Sequence, residues 1–228
     1  LKTAKIWKEN DFNLFELLGV LDLTIEADRL IETQVGNIIT YYEYENNALV
    51  WSLDNLKYSM ANNDKYMIEK CIKLSSGDLL FLPNRRSRSE FCLKIFDKDI
   101  LKVSHTLKGH TYKVCGAIEL RNENIVSYSA GDNNLILWDK KLDYTPNILD
   151  GHTAMITSVI EIDSNKLISI SNDDTIRLWN LNNLTCIAVC EEKNSIENVK
   201  RLKKTDHIIY IVKDVVKVVD TNLKQKYI

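Results

Sequence analysis

Short stretches of alternating apolar and polar residues recur along this chain. In residues 171–180, SNDDTIRLWN, a polar Asn-Asp-Asp turn is followed by alternation at Thr175, Ile176, Arg177 and Leu178 and then by a tryptophan. Such alternation places one face of a β-strand on a core, and Asn and Asp suit the tight turn that precedes it. The stretch therefore predicts the turn and the second strand of a β-hairpin.

The same pattern appears elsewhere at a regular spacing. GHTYKVCGAIELRNENIVSYSAGDNNLILWD begins at Gly109 and GHTAMITSVIEIDSNKLISISNDDTIRLWN begins at Gly151, and the two align if Gly131 is extra in the first. The tryptophan position is followed through six copies: Trp7, Trp51, Phe96, Trp138, Trp179 and Val219. The steps are 44, 45, 42, 41 and 40 residues. The last copy aligns with the one before it without a gap, which puts Ile209 where the earlier copies have Ser and Lys213 where they have Asp.

Each period divides into four short strands. In the copy that begins at Gly151, the predicted strands are 156–162, 166–171, 175–180 and 185–191. Short strands joined by short turns describe an antiparallel meander, and four strands in a period of about 40–45 residues are typical of a propeller blade. The sequence therefore predicts an all-β fold built from four-stranded antiparallel sheets.

The motif residues resemble those of WD-repeat β-propellers. Gly-His opens the copies at 109 and 151, and Trp-Asp or Trp-Asn closes their third strands. The resemblance is specific over 109–180 and extends in weaker form along the chain. It implies one propeller domain over 1–228, with a half blade at 1–19 and five complete blades at 20–62, 63–108, 109–150, 151–191 and 192–228. Because half a blade is left over, the chain is expected to be a fragment of a larger propeller, with missing blades or flanking domains as its partners. The alternative is that residues 1–30 pack irregularly and the ring closes in another way.

The resemblance also implies a hydrogen-bonded chain inside each specific repeat. In WD repeats a His before the first strand, a Ser on the second, an Asp in the next turn and a Trp on the third bond to one another. The matching residues are His110, Ser127, Asp132, Trp138, His152, Ser169, Asp173 and Trp179. Ser, His and Asp also suit a catalytic triad, but two copies at fixed spacing, each ending on a tryptophan, favour a structural role. In the last copy, apolar packing is expected to replace the polar chain.

Composition and charge narrow the functional classes. The 228 residues are 45% hydrophobic and 27% charged, with a net charge of −2, so no basic field attracts nucleic acid. The apolar runs are of strand length, which excludes a membrane-spanning helix or a secretory leader within this sequence. No cofactor or metal is expected, because no Cys/His cluster has zinc spacing and no glycine loop suits a phosphate.

Cysteine usage bears on localisation. The five cysteines are an odd number without paired spacing, which favours reduced thiols in an intracellular protein, cytoplasmic first and with the nucleus open. Cys186 and Cys190 lie four residues apart on a predicted strand and are expected to point to the same side, into the core.

The resemblance implies a rigid, non-catalytic scaffold that binds protein or peptide partners on a propeller face. The candidate contact residues are Tyr112 and Met155, which follow the Gly-His pairs, and Arg85, Arg86 and Arg88, in a loop that replaces a tight turn. Arginine forks suit carboxylates and phosphates, so the loop favours acidic or phosphorylated partners. The alternatives are a solvated loop without a partner and, for Tyr112 and Met155, local packing.

Two other functions stay open at this point. A substrate-recognition propeller of a ubiquitin ligase would need an F-box or an adaptor-binding helix in addition to these residues. A propeller-scaffold enzyme would need converging nucleophiles or paired carboxylates, and the acidic residues of this chain are scattered.

Overall fold

The chain folds almost entirely as antiparallel β-structure. The computed structural model describes residues 2–9, 15–23, 29–32, 38–41, 48–51, 58–60, 68–83, 91–98, 102–202 and 205–227. Within these ranges a single turn of 3-10 helix, Lys140–Leu142, interrupts the strands. The predicted all-β fold of four-stranded antiparallel sheets is confirmed. No helix in this part of the chain is long and apolar enough to cross a membrane.

The chain divides into two compact units, Leu1–Glu90 with Lys94–His105, and Phe91–Leu93 with Thr106–Ile228. The first unit begins with a two-stranded sheet of β1 (Lys2–Glu9) and β2 (Phe15–Leu23). Lys2 pairs with Leu23, so β2 continues beyond residue 19, where the half blade was predicted to end.

Two four-stranded sheets follow along the chain. The first contains β3 (Arg29–Glu32), β4 (Ile38–Tyr41), β5 (Ala48–Trp51) and β6 (Tyr58–Met60). The second contains β7 (Ile68–Lys73), β8 (Leu79–Pro83), β9 (Leu93–Phe96) and β10 (Val103–Leu107). The rings of Phe81 on β8 and Phe96 on β9 are in contact, with centroids 4.6 Å apart and planes tilted by 47°, an aromatic contact in place of the polar side chains of the later repeats.

The second unit contains three further sheets with the same order of strands. The first is β11 (Val114–Glu119), β12 (Ile125–Ser129), β13 (Leu135–Asp139) and β14 (Thr145–Leu149). The second is β15 (Ile156–Asp163), β16 (Lys166–Ser171), β17 (Thr175–Asn180) and β18 (Thr185–Glu191). The third is β19 (Ile196–Arg201), β20 (Ile208–Val212), β21 (Val215–Val219) and β22 (Gln225–Tyr227).

The middle strands of the β15–β18 sheet are buried on both faces. On one face, Leu167 and Trp179 pack with residues of β12 and β13 in one apolar cluster. On the other face, Ile168, Ile176 and Leu178 pack with residues of β20 and β21 in a second cluster. The sheet is therefore held by apolar burial against both of its neighbours, about 1.5–3 kcal/mol for each fully buried large side chain.

A β-bulge in β18 separates the two cysteines that were expected to share a face. The pairing with β17 shifts between Leu178 and Trp179, so Cys190 lies opposite Ile176 while Cys186 lies opposite Trp179. Cys186 packs on the cluster that contains Trp179, and Cys190 packs on the cluster of the opposite face. The expectation of a common direction was wrong because the inserted residue reverses the alternation of side chains.

Candidate functional site

The glycine of each Gly-His pair is required by the tryptophan that closes the same repeat. A Cβ built on Gly109 would lie 3.1 Å from Cη2 of Trp138 and 3.0 Å from Cδ1 of Ile136. At Gly151, where φ is +155°, a Cβ would lie 3.2 Å from Cη2 of Trp179. At both glycines the backbone therefore passes directly over the edge of an indole ring. A side chain at either position would push the backbone away from the ring.

In the first specific repeat, four polar side chains form a continuous hydrogen-bonded chain. Trp138 Nε1 donates to Ser127 Oγ at 2.8 Å, and the same Oγ lies 2.7 Å from His110 Nε2. His110 Nδ1 lies 2.9 Å from Asp132 Oδ2, which also accepts the backbone N–H of Thr111. Asp132 thus ties the turn after β12 to the segment that leads into β11.

The second specific repeat has the same geometry with one more contact. Trp179 Nε1 donates to Ser169 Oγ at 2.7 Å, and His152 lies 2.7 Å from that Oγ and 2.8 Å from Asp173 Oδ2. Asp173 also accepts the N–H of Thr153 and both the N–H and the hydroxyl of Thr175. Because a carboxylate only accepts, His152 Nδ1 carries the proton and Nε2 accepts from Ser169. The hydrogen bonds therefore run in one direction from Trp179 to Ser169 to His152 to Asp173.

These contacts set the charge states of Asp173 and His152. Burial alone would raise the pKa of Asp173, but hydrogen bonds from Thr175, Thr153 and His152 lower it to about 2. Burial lowers the pKa of His152, Asp173 counteracts this, and the charge of Arg177 lowers it further. At neutral pH Asp173 is consequently an ionised carboxylate and His152 beside it is a neutral imidazole.

Acid is expected to weaken the fold through these two groups. Both pKa values are lower in the folded protein than in the unfolded chain, so the unfolded chain binds more protons at low pH. Stability that is present at neutral pH should fall as the pH drops below about 6.5 through His152, and again from about 4 toward about 2 through Asp173. Urea unfolding of the wild type and of Asp173→Asn between pH 7 and pH 2 measures this. The difference between them should shrink below pH 4, and a constant difference would contradict the assignment.

The serines of the two hydrogen-bonded networks are not positioned to act as nucleophiles. Ser127 and Ser169 are fully buried, and each hydroxyl oxygen is covered by an indole N–H. A nucleophile must be reachable by the atom that it attacks. Within the described ranges, no group of three or more His, Cys, Asp or Glu side chains could hold a metal ion.

The last sheet has a polar chain of its own that the sequence interpretation missed. Val219 pairs with Ile208, as Trp179 pairs with Leu167, so Tyr210, and not Ile209, occupies the serine position. The gapless alignment was wrong because the turn at 213–214 is one residue shorter than its counterpart in the β15–β18 sheet.

Glu192 takes the histidine position in this sheet, four residues before the first strand. Tyr210 donates its hydroxyl to Glu192 Oε1 at 2.7 Å, and Lys217 Nζ lies 2.5 Å from Glu192 Oε2. Burial, followed by the hydrogen bond to Glu192, raises the pKa of Tyr210. The prediction that apolar packing alone holds this repeat was therefore wrong.

Among the candidate contact residues that the structure describes, Tyr112 is the exposed one. It is 54% exposed and stacks on Phe91, with ring centroids 5.9 Å apart and planes 17° apart. A Cβ built on Gly131 would lie 2.3 Å from the Tyr112 ring, so the absence of a side chain there makes room for the ring. The aromatic side chain is thus held against Phe91 and Gly131 and still leaves 54% of its surface exposed.

The other candidate contact residues differ in what the structure shows of them. Met155 is partly buried, and its carbonyl accepts the N–H of Asn172 at 2.9 Å. Arg85, Arg86 and Arg88 lie outside the described residues.

Comparison with known proteins identifies the type of fold. Residues 144–180 match the family model described as "WD domain, G-beta repeat". The crystal structure of the C-terminal WD40 domain of Sif2 superposes with a TM-score of 0.66 and 19% sequence identity, over 90% of this chain and 58% of that chain. The chain therefore spans 58% of the length of that domain, and the likeness shows the fold. No curated protein matches the chain in sequence.

Proposed function

We propose that this chain, which contains a WD repeat and has the WD40 propeller fold, is a scaffold that binds protein or peptide partners. The observation that carries the proposal is the exposed ring of Tyr112, stacked on Phe91 and seated over Gly131. A tyrosine that is already fixed by its neighbours loses little freedom on binding, and tyrosine is enriched at the energetic centres of protein interfaces. Tyr112 is therefore proposed as the anchor of the contact surface.

Capture of partners from a cell extract tests the anchor. Tyr112→Ala should lose proteins that the wild type retains, because it removes the exposed ring, whereas Tyr112→Phe should keep most of them. Ile148→Ala is the matched control, since Ile148 is equally exposed at 54% but lies on β14. Quantitative mass spectrometry of the captured proteins gives the readout. Identical sets for Tyr112→Ala and the wild type would exclude Tyr112 as an anchor.

The proposal favours acidic or phosphorylated partners, on the basis of Arg85, Arg86 and Arg88. Three guanidiniums within four residues repel one another and would gain charge-assisted hydrogen bonds from an anion. The same capture experiment with all three changed to Glu serves as its second arm, and loss of the same partners would support this ligand class. Ubiquitin-ligase subunits among the captured proteins would support the more specific role of substrate recognition.

An intracellular location is part of the proposal. No disulfide joins any of the five cysteines, all of which lie among the described residues. Free thiols persist in reducing compartments such as the cytoplasm and the nucleus.

A further inference from the structure

One face of the last sheet is exposed, although the equivalent face is covered in the two sheets before it. The strand registers place three sets of four residues at equivalent positions: Val126, Tyr128, Leu135 and Leu137 in the first, Ile168, Ile170, Ile176 and Leu178 in the second, and Ile209, Ile211, Val216 and Val218 in the last. The residues of the first two sets are buried, apart from the partly buried Tyr128. In the last set Val216 is 57% exposed and the other three are only partly buried. We call these last four residues the open face.

In both preceding sheets this face is covered by apolar side chains of a β-sheet. Leu135 lies in one cluster with Leu167 of the next sheet, and Ile168 lies in one cluster with Ile208 and Val219. The open face consists of the same kind of residue, isoleucine and valine. An apolar surface laid on it would therefore gain stability in the same way, by removing apolar area from water. Contiguous exposed apolar area is typical of an interaction site.

A lysine distinguishes the open face from its two counterparts. Ile118, Ile160 and Lys200 occupy the same position on the first strands of the three sheets, each opposite the first residue of its set. Both isoleucines are partly buried, and Ile118 packs on the apolar cluster shared with the β15–β18 sheet, whereas Lys200 is exposed. Lys200 also borders an open groove of about 400 Å³, whose other lining residues are Ile209, Tyr210, Ile211 and Val216. The open face is thus an apolar floor with a cation at its border.

The lysine restricts what can cover this face. An entirely apolar surface would take the ammonium group out of water without compensation, which is costly. A carboxylate opposite Lys200 would instead accept a charge-assisted hydrogen bond, and complementary charges also fix the orientation of a partner. The matching surface therefore has apolar side chains over Ile209, Ile211 and Val216 and one acidic side chain at Lys200.

We propose that a protein partner covers the open face with an apolar surface and places a carboxylate side chain against Lys200. The isoleucine and valine side chains of the face are stiff, so they lose little freedom when the partner binds. The inference rests on the proposed scaffold function, and it adds a second contact surface on a different sheet from the one that Tyr112 precedes.

Site-specific photo-crosslinking tests the surface. p-Benzoylphenylalanine replaces Val216 in the full chain, an equal mixture of ¹⁴N-labelled and ¹⁵N-labelled chains is irradiated in an extract of the cells that produce the protein, and the adducts are mapped by mass spectrometry. An adduct with a different protein is expected, and its crosslinked segment should contain apolar residues next to an Asp or a Glu. The same replacement at Ile148 is the control, because Ile148 is 54% exposed but lies on β14 of another sheet. It should not give this adduct.

Charge reversal connects the adduct to Lys200. Lys200→Glu should lower the yield of the adduct about tenfold or more, whereas Lys108→Glu, the same change at another exposed lysine, should leave it unchanged. Replacing the mapped acidic residue of the partner with Lys should restore the adduct in Lys200→Glu. Because Lys200 is exposed, the urea midpoint of Lys200→Glu should equal that of the wild type.

Several results would overturn the proposal. They are the absence of an adduct at Val216, an adduct within one chain or between two copies, and a yield that Lys200→Glu does not change. The isotope mixture distinguishes the two self-adducts, since joined copies carry mixed labels. A lower urea midpoint for Lys200→Glu would make Lys200 a structural residue and would also overturn the proposal. Each of these results would leave the Tyr112 capture result standing, so the two hypotheses fail independently.

Discussion

Replacing Trp179 with alanine is expected to lower the free energy of unfolding by about 3–5 kcal/mol. The indole is 1% exposed and packs with residues of its own sheet and of the neighbouring β11–β14 sheet. Its removal leaves a cavity beneath Gly151, where the chain rests on the ring edge. It also removes the N–H that Ser169 Oγ accepts. Three contributions therefore add: lost apolar burial, an unfilled cavity and a broken hydrogen-bonded chain.

Urea unfolding of a graded series checks this expectation. Trp179→Phe keeps an aromatic ring but has no donor for Ser169, and it should cost less than alanine, about 1–3 kcal/mol. Leu142→Ala is the control at an apolar residue that is 60% exposed in the 3-10 turn, and it should stay within about 0.5 kcal/mol. If Trp179→Ala unfolds at the same urea concentration as Leu142→Ala, Trp179 is not the centre of this core.

Asp173→Ala is expected to cost about 1–3 kcal/mol, because it leaves several donors without an acceptor at once. The carboxylate accepts from His152, from the Thr153 N–H and from both donors of Thr175. These bonds join the turn between β16 and β17 to the segment that enters β15. Their loss should therefore loosen both ends of this connection, which amide hydrogen exchange at Thr153 and Thr175 would report.

The neighbouring acid provides the control for this substitution. Asp174 has φ of +61° and sits in the left-handed region, where alanine is strained and asparagine is tolerated. Asp174→Asn is therefore the appropriate variant, and it should change stability by no more than about 0.5 kcal/mol. Equal urea midpoints for Asp173→Ala and Asp174→Asn would show that the hydrogen-bonded chain does not depend on its carboxylate.

Much of the fold was predictable because it is a repeat. The spacing of Trp138 and Trp179, with the Gly-His pairs before them, is enough to divide the chain into four-stranded units and to put four polar side chains within reach of one another. Both signals depend on residue types that the local geometry restricts: glycine where the backbone crosses the edge of the indole, tryptophan at a buried position, and serine small enough to fit between two rings. Such positions tolerate few substitutions, so they can be recognised in a single sequence.

In the last sheet the equivalent positions could not be recognised from the sequence. Tyr210 replaces serine and Glu192 replaces histidine, so the same connection is made with different chemistry. A gapless alignment hides this, because one residue is missing from the turn at 213–214 and every side chain before it is displaced by one. The signal that was available is Lys213-Asp214 between two pairs of β-branched residues, Ile211-Val212 and Val215-Val216, which is typical of a two-residue hairpin turn. Both residues have positive φ, as such a turn requires.

The partial burial of Arg177 was not predicted from the sequence, for a different reason. In the alternation of Thr175, Ile176, Arg177 and Leu178 it occupies a polar position, which the pattern assigns to a solvated face. In the structure both faces of β17 meet neighbouring sheets, so a polar position of this strand is partly buried. Alternation reports which side chains share a face, but it does not report what covers that face. Only the packing of sheet on sheet shows that the Nε–H of Arg177 is buried without a hydrogen-bond acceptor.

The order of strands within each sheet also determines how the chain can acquire its structure. In the described part of the chain, every four-stranded sheet pairs strands that are consecutive in sequence, from β3–β6 to β19–β22. Each pairing closes a short loop, so its entropic cost is small and hairpins form on the microsecond timescale. Apolar contacts between successive sheets, such as those of Trp179, form after both partners exist. During synthesis, each sheet of the second unit can therefore pair its strands once they have left the ribosome, while its packing also requires its neighbouring sheets.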